Sequence, residues 1–184
     1  MIRRAFLAAS LTAMAMPAMA QIESLIEKPL VKAVREGDLD KVRHALLKGE
    51  SPNQTDASGR SLLLVATNAG QVEIVEALLK GGAAVDVTDS DGYTALIRAA
   101  SQGDDAIVGT LLKRHARVST QTRQGLTALM AAARAGSAES CRQLLDAKAD
   151  PNQADFTGRT ALAYARQNNR GSIESMLRKA GGHG

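Results

Sequence analysis

The segment Gly92-Tyr93-Thr94-Ala95-Leu96 decides the fold, because it returns every 33 residues. It recurs as Gly125-Leu126-Thr127-Ala128-Leu129 and as Gly158-Arg159-Thr160-Ala161-Leu162, with a looser first copy, Gly59-Arg60-Ser61-Leu62-Leu63. A fixed period of this length predicts an array of similar units, each too small to bury its own apolar face. Such an array is stabilised by stacking and exposes an extended surface along one side. This organisation favours binding over catalysis.

Residues 89–119 show how one unit is expected to fold. The segment from Asp89 to Gly92 is typical of a turn, and Thr94 can cap a first helix by accepting a backbone N–H bond. Apolar residues then recur at helical spacing in two short segments that are separated by Gly103. The unit is therefore predicted to be a turn, two short helices and an extended link.

Three positions keep the same kind of side chain in every full unit. They hold a hydroxyl at Ser61, Thr94, Thr127 and Thr160, a leucine at Leu63, Leu96, Leu129 and Leu162, and an alanine at Ala66, Ala99, Ala132 and Ala165. This pattern resembles the ankyrin repeat, whose core Gly-x-Thr-Pro-Leu-His-x-Ala has the same period. The resemblance covers residues 29–182. It implies an all-α solenoid of stacked helix-turn-helix units, joined by short β-turn or hairpin links.

The phase of the repeat divides the chain into five units. After a lead-in at 21–28, we place them at about 29–55, 56–88, 89–121, 122–154 and 155–182, the first without a recognisable turn. In the last unit, Arg166, Glu174 and Arg178 replace apolar residues of the preceding units. A terminal unit is expected to become polar on the face that has no neighbour.

The sequence departs from the family pattern in two ways. The histidine of the family is replaced by Leu64, Ile97, Met130 and Ala163. The hydrogen bonds that this histidine supplies between loops are therefore absent, and we expect less rigid turns. In addition, His115 and Lys148 occupy a position that prefers glycine, because it needs a left-handed backbone. We expect the links after these two residues to be locally weaker.

Residues 1–20 are predicted to be a cleavable signal peptide. Arg3 and Arg4 precede an apolar stretch over 5–16, and 18–20 read Ala-Met-Ala, a small-residue cleavage site. Two export routes remain open: we favour the general secretory route, whereas the paired arginines followed by Phe6 resemble a twin-arginine signal. Either route predicts a periplasmic protein that begins at Gln21 and is not inserted in the membrane.

Composition argues against several classes of function. Removal of Arg3 and Arg4 from the 23 basic residues leaves 21 against 19 acidic ones. The two signs are intermixed along the chain, so nucleic-acid binding is not indicated. The single cysteine, Cys141, has no partner for an internal disulfide. It occupies an apolar phase of the repeat and is expected to be a small buried residue.

No motif indicates catalysis, a cofactor or a metal. The three histidines, His44, His115 and His183, are too scattered to converge as a triad or zinc site requires. Residues 89–92 superficially suggest a calcium loop. If Gly92 takes the glycine position of an EF-hand, however, the first and last ligands become Val87 and Arg98, and both are unsuitable. We therefore predict that the chain is not an enzyme.

The resemblance implies that a partner contacts the turn tips and the exposed sides of the first helices. Aromatic side chains and arginine dominate interface hot spots, because they fill pockets with stiff or fork-shaped groups. The residues predicted to form the contact surface are Tyr93, Arg123, Leu126, Arg134, Phe156 and Arg159.

These observations favour a monomeric protein-binding module that presents the tips and first helices to a folded protein. It would either hold or protect a periplasmic enzyme, or inhibit an exported toxin as an immunity protein. Two other classes remain open. One is an enzyme or small-molecule-binding protein that uses the concave groove, and the other is a structural role in the cell envelope.

Overall fold

A computed structural model describes residues 28–183 of this chain. The described residues form ten α-helices in five consecutive pairs: α1 Pro29–Glu36, α2 Leu39–Leu47, α3 Leu62–Asn68, α4 Val72–Lys80, α5 Ala95–Gln102, α6 Asp105–Lys113, α7 Ala128–Ala135, α8 Ala138–Asp146, α9 Ala161–Gln167 and α10 Gly171–Lys179. Isolated antiparallel bridges, Thr55 to Ser61 and Ala154 to Thr160, close two of the links. The predicted signal peptide and residues 21–27 lie outside the described residues.

Hydroxyl side chains start the first helices of units 2 to 5. Thr94 Oγ1 accepts a hydrogen bond from the N–H of Ile97 at 3.3 Å, which confirms its predicted capping role. Ser61, Thr127 and Thr160 cap α3, α7 and α9 in the same way. The helix α5 ends at Gly103, whose φ of 71° is the left-handed geometry of a C-terminal cap.

The helices stack as the repeat predicts. Each helix contacts the other helix of its own pair and its counterparts in the adjacent pairs. The alanines at the fixed phase, represented by Ala99 and Ala132, are fully buried, and the leucines beside them, such as Leu96, are also in the core. A small residue at this phase lets adjacent first helices approach closely. The predicted all-α ankyrin solenoid is therefore confirmed.

The last unit of the described residues carries an ion-pair cluster. Glu174 Oε1 lies 3.0 Å from Arg166 Nε and 2.9 Å from Arg178 Nη2. The third and fourth units have apolar residues at these three phases, such as Ala100, Val108 and Leu112. The charged groups give α10 a polar outer face, on which no further unit of the described residues stacks.

The two predicted left-handed positions are present. His115 has a φ of 59° and Lys148 a φ of 67°, and Asn169 adopts a similar value of 54° at the end of α9. A side chain in this conformation costs of order 1 kcal/mol more than glycine. The expected weakness of the following links stays a prediction.

Cys141 is fully buried, as predicted. Burial, followed by the negative charge of Asp105, raises the pKa of its thiol to about 12. The thiolate, which is the reactive form, is therefore disfavoured at neutral pH.

None of the helices between residues 28 and 183 has the length and apolar character that a helix needs to cross a bilayer.

Candidate protein-binding surface

One side chain at a fixed phase organises each turn tip. These corner residues are Asp56, Asp89, Thr122 and Asp155. In the third unit, Asp89 Oδ1 accepts hydrogen bonds from the N–H groups of Asp91 at 3.0 Å and Tyr93 at 2.9 Å. This is the local bonding by which aspartate stabilises turns.

The corner residues bond each tip from within. The expectation of less rigid turns, which follows from the missing histidine, stays a prediction. Asp89 was expected only as a turn signal, and its recurrent role as a corner residue was not predicted. The available signal was an acidic residue three positions before the repeat glycine, as in Asp56-Ala57-Ser58-Gly59 and Asp155-Phe156-Thr157-Gly158.

Backbone hydrogen bonds join the last three tips into one continuous surface. The N–H of Arg123 donates to the carbonyl of Asp91 at 2.9 Å, and the N–H of Phe156 donates to the carbonyl of Gln124 at 3.1 Å. A Cβ at Gly125 would lie 2.7 Å from the backbone nitrogen of Phe156, so only glycine permits this contact. We call residues 89–93, 122–126 and 155–159 together the tip ledge.

The second tip stands apart from the ledge. A Cβ added at Gly59 would meet no atom within 4 Å, in contrast to Gly125. Between the second and third tips lies a hollow of about 420 Å³, whose lining is mostly polar. Its charged side chains include Arg60, Asp89 and Arg98. The ledge therefore begins at the third unit.

The structure places four of the six predicted contact residues on accessible surface. The side chain of Phe156 is 73% exposed at the outer end of the ledge. Arg123, Arg134 and Arg159 are also exposed. Their roles as contact residues stay predictions, although their accessibility fits such roles.

The expected exposure of Leu126 was wrong, and that of Tyr93 was overestimated. Leu126 is only 4% exposed and belongs to the hydrophobic core. Its N–H donates to Thr122 Oγ1 at 3.2 Å, so its backbone is held at the corner while its apolar side chain leaves water. Tyr93 is partly buried against the same core, with its ring centre 4.0 Å from the guanidinium carbon of Arg98. Residues directly after the repeat glycine thus contact the protein itself.

The fifth tip contains the most densely bonded carboxylate of the ledge. Asp155 is 7% exposed and accepts from Thr157 Oγ1 at 2.6 Å, Tyr164 Oη at 2.6 Å and the N–H of Arg159 at 3.0 Å. Burial by itself would raise the pKa of this carboxyl. The hydrogen bonds from Thr157, Tyr164 and the backbone outweigh burial and hold the pKa well below its usual range. Asp155 is therefore charged at neutral pH and fixes the tip that carries Phe156.

One arginine contacts Tyr164 directly. Arg159 Nε is 3.3 Å from Asp155 Oδ2, and its guanidinium carbon is 4.7 Å from the ring centre of Tyr164. Burial and then the bond to Asp155 raise the pKa of Tyr164, while the charges of Arg159 and Arg134 oppose that shift. Asp155, Arg159 and Tyr164 are therefore joined by direct contacts next to Phe156.

The chemistry of this surface suits recognition. In the polar hollow, Arg98 Nη2 is paired with Asp89 Oδ2 at 3.1 Å, and at the adjacent tip Arg60 Nη2 is paired with Asp56 Oδ2 at 2.7 Å. These charges stabilise the tips.

Over residues 28–183, no group of three or more His, Cys, Asp and Glu side chains is arranged to hold a metal ion.

Comparison with protein-family models gives the class of protein that this fold defines. The model described as "Ankyrin repeats (3 copies)" matches residues 30–122 and again 111–182. The chain therefore belongs to the ankyrin-repeat family, whose repeats generally mediate binding to protein partners. A search of curated proteins found no match.

Proposed function

We propose that this protein is a non-enzymatic, monomeric interaction module of the bacterial periplasm. It presents the tip ledge and the exposed sides of α5, α7 and α9 to a folded partner protein. The observation that supports this proposal most strongly is Phe156, a large aromatic side chain that is 73% exposed on a well-bonded tip. A single exposed apolar residue is common on proteins. The rigid surroundings of Phe156 distinguish it.

The backbone of this residue is held on two sides. The N–H of Phe156 is bonded to the fourth tip through Gln124, and the preceding residue, Asp155, is bonded to Thr157, Arg159 and Tyr164. A preorganised backbone loses little conformational entropy when a partner binds, so more of the contact energy appears as affinity. The ring can therefore act as an anchor without ordering a loop.

The surroundings of Phe156 resemble those of known binding hot spots. Arg123, Arg134 and Arg159 are exposed in the same two units, the fourth and the fifth, as the aromatic side chain. Aromatic residues and arginine are enriched at the centres of interfaces, with polar groups at the rim. We infer that Phe156 fills a partner pocket and that the arginines orient the complex.

Two biological roles follow from a module of this kind. An accessory protein would hold or protect a periplasmic enzyme, and an inhibitor would cover the active site of an exported toxin. An inhibitor that is steered by charge should associate fast, with an on-rate that falls steeply as salt is added. An accessory protein has no such kinetic requirement, so the salt dependence of association separates the two roles.

Site-specific photo-crosslinking in living cells tests this function. A photoreactive amino acid replaces Arg123 on the ledge or, in the matched control, Lys113 at the end of α6. Both side chains are exposed, but Lys113 belongs to the second helix of its unit. We expect a discrete protein adduct from position 123, recovered with the periplasmic fraction, and no equivalent adduct from position 113.

Three results would count against the proposal. Equal adducts from both positions would place the contact elsewhere, and recovery in the cytoplasm would contradict the location. No adduct from either position, together with turnover or small-molecule binding by the purified protein, would favour use of the concave groove.

A further inference from the structure

Charge is distributed unequally along the array. Residues 56–121 contain six Lys and Arg against eight Asp and Glu, whereas residues 122–182 contain nine against five. The C-terminal part of the solenoid is therefore positive, and the preceding part is slightly negative. The intermixed charges of the whole sequence conceal this difference.

On the tips and first helices, ion pairs within the protein neutralise most charges and leave the unpaired positive charges in the fourth unit. Four pairs involve charges on the tips and first helices of units 2 to 5: Asp56–Arg60, Asp89–Arg98, Asp155–Arg159 and Arg166–Glu174. Of the remaining charges on these described segments, Asp91, Arg123 and Arg134 have no ion-pair partner within the protein. The tip and first helix of the fourth unit thus offer two uncompensated cations.

Both cations share the exposed surface of the fourth and fifth units with this ring. Phe156 is bonded to Gln124, the residue that follows Arg123. Arg134 is exposed on the first helix of the fourth unit, and its charge acts on Tyr164, which donates to Asp155 next to Phe156. An exposed apolar side chain thus shares this surface with two arginines that have no ion-pair partner among the described residues.

We propose that the partner presents an acidic surface segment to this region. Its carboxylates pair with Arg123 and Arg134, and its apolar side chains cover Phe156. This inference rests on the proposed function as a protein-binding module and names the chemistry of the partner. Arginine suits such a segment, because its planar guanidinium can bond a carboxylate through two parallel N–H groups.

A nucleic acid would meet a less suitable surface. Binding to a phosphate backbone generally uses many cations, with 6–10 phosphate contacts in a typical salt-sensitive complex. On the tips and first helices that the structure describes, only two arginines are uncompensated. An acidic peptide segment carries few charges, so two arginines are enough to pair with its carboxylates.

Selection from a random peptide library tests the chemistry directly. Peptides displayed on phage are selected on the full chain at low salt, and individual binders are then measured by fluorescence anisotropy. We expect binders enriched in Asp and Glu with at least one apolar residue. The double variant R123E/R134E should bind them about tenfold more weakly, since two exposed ion pairs are lost and charge reversal adds repulsion.

Two further variants separate charge position from net charge. The variant R43E/K113E makes the same change in net charge on α2 and α6, and it should retain the wild-type affinity for the selected peptides. The variant R123K/R134K keeps both charges and should retain the preference for acidic peptides. Circular dichroism of each variant confirms that the helices are formed.

The inference is overturned by selected peptides that are neutral or basic, by a failure to select binders, or by acidic binders that bind R123E/R134E as well as the wild type. It is also overturned if a single-stranded oligonucleotide binds more tightly than the peptides through the same arginines. The crosslinking result at position 123 is independent of these outcomes. A protein adduct there without acidic selectivity would reject this inference and leave the proposed function standing.

Discussion

The third and fifth tips use the same three chemical groups in exchanged positions. The third tip has Asp89, Tyr93 and Arg98, and the fifth has Asp155, Arg159 and Tyr164. In both, the arginine covers the tyrosine ring, at 4.0 Å in the third tip and 4.7 Å in the fifth. In the third tip the tyrosine follows the repeat glycine and the arginine is on the helix. In the fifth tip the order is reversed.

The exchange determines how firmly each corner is bonded. With tyrosine on the helix, the hydroxyl of Tyr164 reaches Asp155 Oδ2 at 2.6 Å. With arginine on the helix, Arg98 Nη2 reaches Asp89 Oδ2 at the longer distance of 3.1 Å, and Arg98 Nε stays buried without a hydrogen-bond partner. The fifth corner is therefore more completely satisfied, and it is the one that carries the exposed Phe156.

The largest expected difference is between the two corner aspartates. Asp155→Ala should lower the free energy of unfolding by about 3 kcal/mol, because it leaves the buried hydroxyl of Tyr164 and the donors of Thr157 and Arg159 without their charged acceptor. Asp89→Ala should cost about 1 kcal/mol, since that corner has fewer bonds to lose. Urea denaturation followed by circular dichroism gives both values. Equal losses would contradict the proposed difference between the tips.

The hydrogen bonds to Asp155 should also make the stability of the folded protein depend on pH. The folded-state pKa of Asp155 lies below the unfolded value of about 3.9. Its charge therefore stabilises the folded protein above that pH, and the contribution is lost as the pH falls below about 4. The variant D155N, which lacks this titration, should lose less stability than the wild type between neutral and acidic pH.

The free energy of unfolding of the wild type and of D155N is measured as a function of pH, which tests whether D155N loses less stability in acid. The carboxyls of Asp38, Asp56, Glu139 and Glu174 also have lowered pKa values and remain in both proteins. Only the difference between the two curves reports on Asp155. If the free energies of unfolding of the two proteins fall by the same amount down to low pH, ionisation of Asp155 does not stabilise the fold.

A double-mutant cycle tests the exchange itself. Tyr93→Arg and Arg98→Tyr should each lower stability by about 1 kcal/mol, because each single change loses the contact between cation and ring. The double variant recreates the order of the fifth tip. It should regain about 0.5–1 kcal/mol relative to the sum of the single changes. Strict additivity would mean that the two side chains do not interact.

The smallest expected effect on stability is that of Phe156→Ala, for which the partly buried Tyr93 is the comparison. Phe156→Ala should change the free energy of unfolding by less than about 0.5 kcal/mol, because the ring is mostly in water. Tyr93→Ala should cost about 1–2 kcal/mol, since its ring packs against the core. Thermal or urea unfolding of both variants measures this. A comparable loss in Phe156→Ala would show that its ring is a structural residue.

The repeat made the fold predictable from sequence. The hydroxyl caps, the buried alanines and the left-handed position of His115 all follow from local geometry that recurs at a fixed phase. A period of 33 residues also fixes which helices are neighbours, because each unit can bury its apolar face only on the next one.

The orientation of the tip side chains was less predictable. Leu126, Tyr93 and Arg159 share one phase, yet one is buried, one is partly buried and one is exposed. The outcome depends on the residue that each meets on its own first helix and at the corner, which the repeat pattern does not specify. Contacts between tips, such as that of Phe156 with Gln124, depend on the same three-dimensional detail.

The central claim, that the partner binds the tip ledge, is tested most directly with two exposed apolar residues. Phe156 on the ledge and Leu47 at the end of α2 are 73% and 87% exposed. The affinity of the crosslinked partner is measured for Phe156→Ala and for the control Leu47→Ala. We predict that Phe156→Ala lowers the affinity about tenfold or more, as expected for a hot-spot residue, and that Leu47→Ala leaves the affinity unchanged. A loss in Leu47→Ala with full affinity in Phe156→Ala would contradict the claim.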